Sequence, residues 1–553
     1  MLLLKIVGLC ALALLAFLLA VRVLNPLPPL EPRAHSTALT DTGETPLGLG
    51  AARALAGAQA PGLTGIHLLN DGRSAFAARV LLARAAVRSL DLQYYIWKGD
   101  LSGTLLLDEV RAAAERGVRV RLLLDDNGTA GLDAVLAALD RHPSIEVRLF
   151  NPFTVRSPKL LGLLADPFRL NRRMHNKSFT ADNQATIIGG RNVGDEYFGA
   201  PGGGLYVDLD ALAVGPVVRD TSADFDRYWN SASAYPAERI LPPAAGNGRE
   251  NAPENAPEND PENGLRALRS AAEGTRRDRA AAAYEEAVLS LPVVDRLRSG
   301  TLPLTFAPVQ LVSDDPAKAL GSVPREDLLW PALSRAVGTP QQSLLLVSGY
   351  FVPTEAGVFA FTDLARSGVA VAVLTNALSA TDVPIVHAGY AGHRAALLRA
   401  GVRLFELHGV EGGGRGQGAG GAGEARSRTV IGQGSGSGGS SPSSPSALHA
   451  KTFAADGERL FVGSFNFDPR SLHLNTELGF VIESPALARA LENGFIERLA
   501  GLAYEVRLEP DGSLAWIERR GDAVIRHRTE PGTTRGQRLL VWFLSLLPID
   551  WLL

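Results

Sequence analysis

The sequence predicts an α/β chain folded as two duplicated lobes, each a mostly parallel β-sheet flanked by helices, with one shared site where the lobes meet. Three observations point there. Short apolar runs rich in β-branched residues alternate with Ala/Leu/Arg stretches of helical period, the pattern of βαβ units. The order of those runs repeats: "SLDLQYYIW" (89–97), "GVRVRLLLDDNG" (117–128) and "SIEVRLFN" (144–151) are echoed by "SLLLVSGYFV" (343–352), "GVAVAVLTNA" (368–377) and "GVRLFELH" (401–408). Each half then closes on the same polar pattern, "MHNKSFTADNQATIIGGRN" (174–192) and "LHAKTFAADGERLFVGSFNFD" (448–468). Self-similarity of this extent marks a duplication, with lobes expected at 60–240 and 300–510.

Taken in chain order, residues 1–24 are apolar apart from Lys5 and Arg22. The uncharged run 6–21, flanked by cations able to snorkel, approaches a membrane span. This segment is read as an N-terminal membrane anchor or signal; no A-x-A cleavage site precedes "NPLPPLEPR", which favours the anchor. After the first lobe, "GNGRENAPENAPENDPENG" (246–264) repeats Pro-Glu-Asn without apolar periodicity and reads as a disordered linker. The Gly/Ser tract 411–446 reads as a disordered insertion in the second lobe. Its "GQGAGG" formally matches a dinucleotide fingerprint, but no strand leads into it and no helix opens from it, so it is a loop. In the apolar tail 535–553, Arg535 and Arg538 precede Trp542, Phe543 and Trp551. That suits either an interfacial helix on lipid headgroups or a terminal helix docked on the core.

Composition narrows the function classes. With 553 residues, 46% hydrophobic and 20% charged, the chain is globular and ample for two cores. A net charge of −3 lacks the basic footprint of a nucleic-acid binder. The single cysteine, Cys10, excludes an intramolecular disulfide and a cysteine zinc site.

On a strand, residues i and i+2 share a face, so His175/Lys177 and His449/Lys451 each set an imidazole beside an ammonium. Asn192, Ser464 and Asn466 follow on the next strands, with glycine allowing close backbone approach. Joined about a pseudo-twofold axis, the halves would gather two histidines, two lysines and two asparagines around a pocket fit for a phosphodiester. The lysines and asparagines would hold its non-bridging oxygens, a role filled elsewhere by metal ions. Two histidines per pocket and no cysteine are too few converging ligands for zinc. A lone H-x-K is ordinarily an exposed strand pair; two complete sets in matching frames are a different matter. Each histidine also needs a carboxylate to fix its tautomer. "NTELGFVIESP" supplies Glu477, and aligning Pro216 with Pro485 sets Asp208 opposite it, with Asp210 as rival.

The pattern H-x-K-x4-D-x6-G-[S/G]-x-N, present twice, resembles the phospholipase D superfamily with its paired HKD motifs. "GGRNVGDEYF", "LVSDDPAK", "VHAGYAGHRAALLRAGVRLFE" and "LLPIDWLL" are similar to bacterial cardiolipin synthases. The resemblance implies two phospholipase D-like lobes and a membrane-associated phosphatidyltransferase that passes a phosphatidyl group to phosphatidylglycerol through a phosphohistidine. It implies His175 as nucleophile, His449 as acid and base, and Lys177, Lys451, Asn192 and Asn466, with Ser464, on the phosphoryl oxygens. Asp182 and Asp456 complete the motifs and are expected to brace their loops. Gly190 stands where the second motif has Ser464, making the halves unequal without implying inactivation.

No cofactor or metal is expected. The expected partners are phospholipids (phosphatidylglycerol and another donor) and the membrane, not nucleic acid, and oligomeric state stays open. The expected location is the bacterial inner membrane, anchored by the N-terminus, with the face undetermined. A hydrolytic phospholipase D and a non-catalytic lipid-binding module remain alternatives. Asp125 and Asp126 are expected to shape a βα turn. Tyr94, Tyr95 and Trp97 would contact lipid or core, and His387 and Tyr390 a headgroup or nothing.

Overall fold

The computed structural model describes residues 2–59, 61–201, 204–241, 261–381, 383–408, 447–499 and 501–547. The first half supplies β1 (Thr64–Leu69), β2 (Ser89–Ile96), β3 (Arg119–Gly128), β4 (Ile145–Phe150), β5 (Ser178–Ala181), β6 (Ala185–Gly189), β7 (Tyr206–Val207), β8 (Asp210–Val214) and β9 (Ala234–Pro236). The second supplies β10 (Thr305–Ala307), β11 (Val309–Ser313), β12 (Ser343–Ser348), β13 (Ala370–Asn376), β14 (Arg403–Leu407), β15 (Ala447–Leu448) and β16 (Lys451–Ala455). It continues with β17 (Arg459–Gly463), β18 (Leu478–Glu483), β19 (Ala503–Leu508), β20 (Leu514–Arg520) and β21 (Ala523–His527).

Among the described residues these strands form two large sheets, ordered β10-β1-β8-β6-β5-β2-β3-β4-β9 and β11-β18-β17-β16-β12-β13-β14-β19-β20-β21. From β1 to β9 and from β11 to β19 the two orders correspond strand for strand, so the duplication is structural. The sheets are mixed, not mostly parallel. Only β2-β3-β4 and β12-β13-β14 run parallel; every other pairing within the two sheets is antiparallel. Parallel neighbours need a long crossover, and each lobe has two such connections. The polar motif itself is a hairpin, β5-β6 or β16-β17, and a tight turn returns the chain antiparallel.

Asp182 and Asp456 occupy those turns, with left-handed φ of 51° and 56°. Each carboxylate collects backbone N–H groups at the start of the adjoining strand: Val87, Arg88 and Ser89 donate to Asp182, and Gln341, Gln342 and Ser343 to Asp456. Asp182 is fully buried. Asp182→Ala is therefore expected to strand three donors and lower stability by about 3 kcal/mol, against about 1 kcal/mol for Asp456→Ala at its wetter turn. Denaturant titration of the two variants checks the order.

Each lobe has its own apolar core, and a third core joins them, with Ile188, Leu209 and Ala211 against Leu460, Val462 and Phe480. The chain crosses between sheets at Pro308, from β10 on the edge of the first to β11 on the edge of the second. Two boundaries differ from expectation. Helices Pro261–Arg277, Arg279–Leu289 and Pro292–Ser299 bury Leu268, Tyr284 and Val294 in the first core, so the stretch 246–264 ends inside a helix. The second sheet runs on to His527, past 510. Residues 242–260 and 409–446 lie outside the described residues.

Helix Leu2–Leu24 contains a 21-residue apolar stretch, Leu4–Leu24, long enough by length and composition to cross a membrane. Helix Arg535–Ser545 docks on the second lobe through one buried side chain. Val541 packs with Leu378 and Ala388, while Trp542 and Phe543 are exposed. Trp551 lies outside the described residues.

Candidate active site

The short segments just before the histidines pair across the lobes, whereas β5 and β16, which follow them, pair within their own sheets. Met174 bridges Thr476, with His175 N–H donating to the Thr476 carbonyl (2.9 Å) and Thr476 N–H to the Arg173 carbonyl (2.9 Å). By the same logic β15 pairs with β7, Leu448 opposite Val207, and His449 N–H donates to the Val207 carbonyl (2.8 Å). One residue further along each strand come Glu477 and Asp208, so each carboxylate meets the other lobe's histidine. His175 Nδ1 lies 2.8 and 3.1 Å from the Glu477 oxygens, and His449 Nδ1 lies 2.5 Å from Asp208 Oδ2. Alignment locates both carboxylates but not their partners, because the pairing exists only once the lobes meet. Asp210 is engaged elsewhere, in a buried ion cluster with Arg79 (2.9 Å) and Arg191 (3.4 Å).

Ser464 is not aimed at a phosphate. Its Oγ donates to Glu477 Oε2 (2.5 Å), Leu478 N–H donates back to it (3.0 Å), and the side chain is fully buried. A hydroxyl has one proton, and here the carboxylate takes it. Ser471 Oγ donates to Oε1 of the same group (2.8 Å). At the matching place in the first lobe, a Cβ on Gly190 would lie 2.2 Å from Asp208 Oδ1. Asp208 packs directly on that backbone and accepts from Leu209 N–H (2.8 Å). The Gly/Ser difference thus follows how each carboxylate is seated.

Lys177 and Lys451 are buried, and each ammonium caps its own histidine's carbonyl, Lys177 at 2.5 Å. Tyr95 stands edge-on to His175 (5.1 Å) and beneath Lys177 (5.5 Å), while Tyr206 stacks on His449 (5.2 Å). Asn192 accepts from Ile96 N–H (3.2 Å) and donates to the Tyr197 hydroxyl (3.1 Å), which leaves one amide proton. Asn466 is buried, and its Oδ1 has no partner among the described residues.

Asp125 holds the approach to His175, accepting from Met174 N–H (2.8 Å) and Arg173 (3.1 Å); Asp126 pairs with Arg156 and Lys159. Tyr94 and Trp97 are core. His387 and Tyr390 belong to a buried clamp with Arg394, Glu406 and Glu530.

The family model for the cardiolipin synthase, PLD-like domain matches residues 80–229 and 424–499. The chain is 45% identical over 495 residues to cardiolipin synthase C of Escherichia coli K12, covering 90% of this chain and 97% of that one. The chain belongs to the phospholipase D-like cardiolipin synthase family. An uncharacterized Helicobacter pylori protein is 30% identical over 489 residues, covering 87% of this chain and 88% of its own. A phosphatidylserine synthase from Haemophilus influenzae shares the fold, with a TM-score of 0.52 at 13% identity over 91% of this chain and 99% of that one.

In this member of the cardiolipin synthase family the two histidines share one electrostatic environment. Burial, then Lys177, Lys451 and His449, push His175 well below the ordinary imidazole range. Burial and Lys451 lower His449 too, against the pull of Asp208. Burial likewise drives Lys177 down. The carboxylates respond in opposite directions. Burial pushes Glu477 up to about 7, whereas at Asp208 the opposing charges of His449, Lys451 and Arg191 overcome burial and hold it below the usual range. Ser471 and Thr476 escaped sequence reasoning because neither has a counterpart in the first motif that the repeat could reveal.

Proposed function

We propose that the chain is a phosphatidyltransferase that forms cardiolipin by transferring a phosphatidyl group to phosphatidylglycerol, through a phosphohistidine on His175. The observation that carries this reading is the crossed pair of histidine–carboxylate contacts, one imidazole from each lobe beside two buried lysines. With its Nδ1 proton directed to Glu477, His175 bears its lone pair on Nε2. Nε2 attacks phosphorus, the P–O bond to the leaving alcohol breaks, and His449 gives that oxygen a proton. His449, now neutral, takes the proton from the phosphatidylglycerol hydroxyl. The alcohol oxygen attacks phosphorus and the P–N bond to His175 breaks.

Lys177, Lys451, Asn192 and Asn466 hold the non-bridging oxygens as charge gathers on them. Burial keeps His175 neutral, as a nucleophile must be; burial and Lys451 lower His449 as well, so the imidazolium it needs as an acid depends on the ionised Asp208 beside it. Asp182 and Asp456 act as hairpin braces, and Ser464 and Ser471 seat Glu477. Anchored in the inner membrane by its N-terminal helix, the enzyme would meet donor and acceptor in one plane, which favours transfer over hydrolysis.

Full-length protein incubated with radiolabelled phosphatidylglycerol is expected to yield labelled cardiolipin. Phosphatidic acid instead would make it a hydrolase, and no product from folded protein would make it a lipid-binding module. Because lysines are placed to supply the positive charge, EDTA is expected to leave the rate within about twofold of untreated enzyme.

A further inference from the structure

Helix Lys159–Ala165 carries Leu160 and Leu164 four apart on one face, and after a break at Asp166, whose φ of −137° and ψ of 59° are not helical, the short helix Pro167–Leu170 adds Phe168. These side chains are 57%, 54% and 86% exposed, although the segment is otherwise tied down. Lys159 and Arg156 pair with Asp126, and Arg169 with Asp166 and Asn151. The cations here face inward and the apolar groups outward, the reverse of an ordinary water-facing helix.

What covers these side chains is set by their neighbour. Helix Lys159–Ala165 packs against the exit end of helix Leu2–Leu24. Val21, Arg22 and Asn25 line a cleft with Gly162, Asp166 and Arg169, and Arg22 stands 3.6 Å from Asp166. The apolar stretch Leu4–Leu24 is 21 residues long. At 1.5 Å per residue it measures about 32 Å, against about 30 Å for a bilayer's hydrocarbon, so its far end comes out at the lipid surface. A helix touching that end lies at headgroup depth.

We infer that Leu160, Leu164 and Phe168 dip into the bilayer and seat the first lobe on the membrane as a second, monotopic contact beside the anchor. The consequence reaches the site through the chain itself: Leu170 ends this segment, and Asn171, Arg172, Arg173 and Met174 lead straight into His175. The foot thus fixes the height of the nucleophile's strand above the lipid from which the substrate must rise. This rests on helix Leu2–Leu24 spanning the membrane and on the site acting on phospholipid.

Cys10 is the only native cysteine. Full-length Cys10→Ser protein carrying one nitroxide at position 160, 164 or 168, reconstituted in phosphatidylglycerol vesicles, reports depth directly and without reference to catalysis. Greater collision with oxygen than with an aqueous nickel chelate at all three positions is expected. Full access to the chelate, or labels immobilised without lipid contact because protein covers them, overturns the proposal. The triple variant Leu160→Ser/Leu164→Ser/Phe168→Ser then separates this idea from the catalytic reading. Turnover of long-chain phosphatidylglycerol in vesicles should fall about tenfold, while turnover of monomeric dihexanoyl phosphatidylglycerol should stay within about twofold. Equal rates for variant and parent on vesicles reject the foot; no turnover of either lipid by the parent rejects the enzymology instead.

Discussion

His175→Ala is expected to abolish transfer and the covalent intermediate together, whereas His449→Ala should abolish turnover but leave the first half-reaction reachable. Each loss should be about 10³-fold or more, because the histidines act as a unit. The two separate on a phosphatidyl ester of p-nitrophenol, whose leaving group departs without a proton. His449→Ala should then release one equivalent of nitrophenol and stall with the phosphatidyl group on His175, since no base remains to activate the incoming alcohol. His175→Ala should give no burst and no label. A burst in His175→Ala but not in His449→Ala would exchange the roles, and label on neither would end the phosphohistidine scheme. The burst also has a pH signature. Only neutral His175 can attack, and burial beside two lysines lowers its pKa, so the neutral form persists below the imidazole range. His175 itself stays neutral as pH falls through about 6.5, the unperturbed histidine value, but Glu477, pushed up to about 7 by burial, gains a proton there, so the burst rate should fall across about pH 7 as the carboxylate that accepts the Nδ1 proton is neutralised.

How far the sequence carried this reading depends on whether a feature is local. His175, Lys177, His449 and Lys451 are legible because the motif is local in sequence, although they do not share one strand as expected: His175 and Lys177 precede β5, and His449 lies between β15 and β16. The duplication is legible because two strings can be compared. Strand direction is not: an apolar run such as "KTFAA" reads the same whether its neighbour is reached by a hairpin or a crossover, and the hairpins turned most of each sheet antiparallel. Ser464 reads as a phosphate donor because its position relative to Asn466 is visible, while its acceptor, Glu477, lies eleven residues beyond Asn466, just ahead of β18. The exchange of carboxylates between lobes lay furthest out of reach. It depends on Met174 meeting Thr476 and Leu448 meeting Val207, contacts between residues far apart in the chain.

Gly190→Ser supplies the sharpest test of that exchange, because it makes the first motif more like the second and should nonetheless inactivate it. The new Cβ would sit 2.2 Å from Asp208 Oδ1, and 2.8 Å from the carboxyl carbon, in a fully buried setting. The backbone cannot yield easily, since Gly190 N–H is bonded to the Leu209 carbonyl. Asp208 must therefore swing away, which breaks its contact with His449 Nδ1 and leaves that ring free to take the wrong tautomer. Loss of a tautomer-fixing carboxylate in comparable triads costs up to about 10⁴ in turnover, so a drop of at least about 10² is expected here. Ser464→Gly is the counterpart. It removes one of two hydroxyls from Glu477 but leaves Ser471 in place, and a loss nearer tenfold is expected. The nitrophenyl burst distinguishes a positioning effect from collapse of the fold. Gly190→Ser should keep the burst, which needs only His175 and Glu477, and lose the second step, which needs His449. Near-normal transfer by Gly190→Ser would mean that Asp208 does not orient His449, and the crossed arrangement would no longer explain why the two motifs differ.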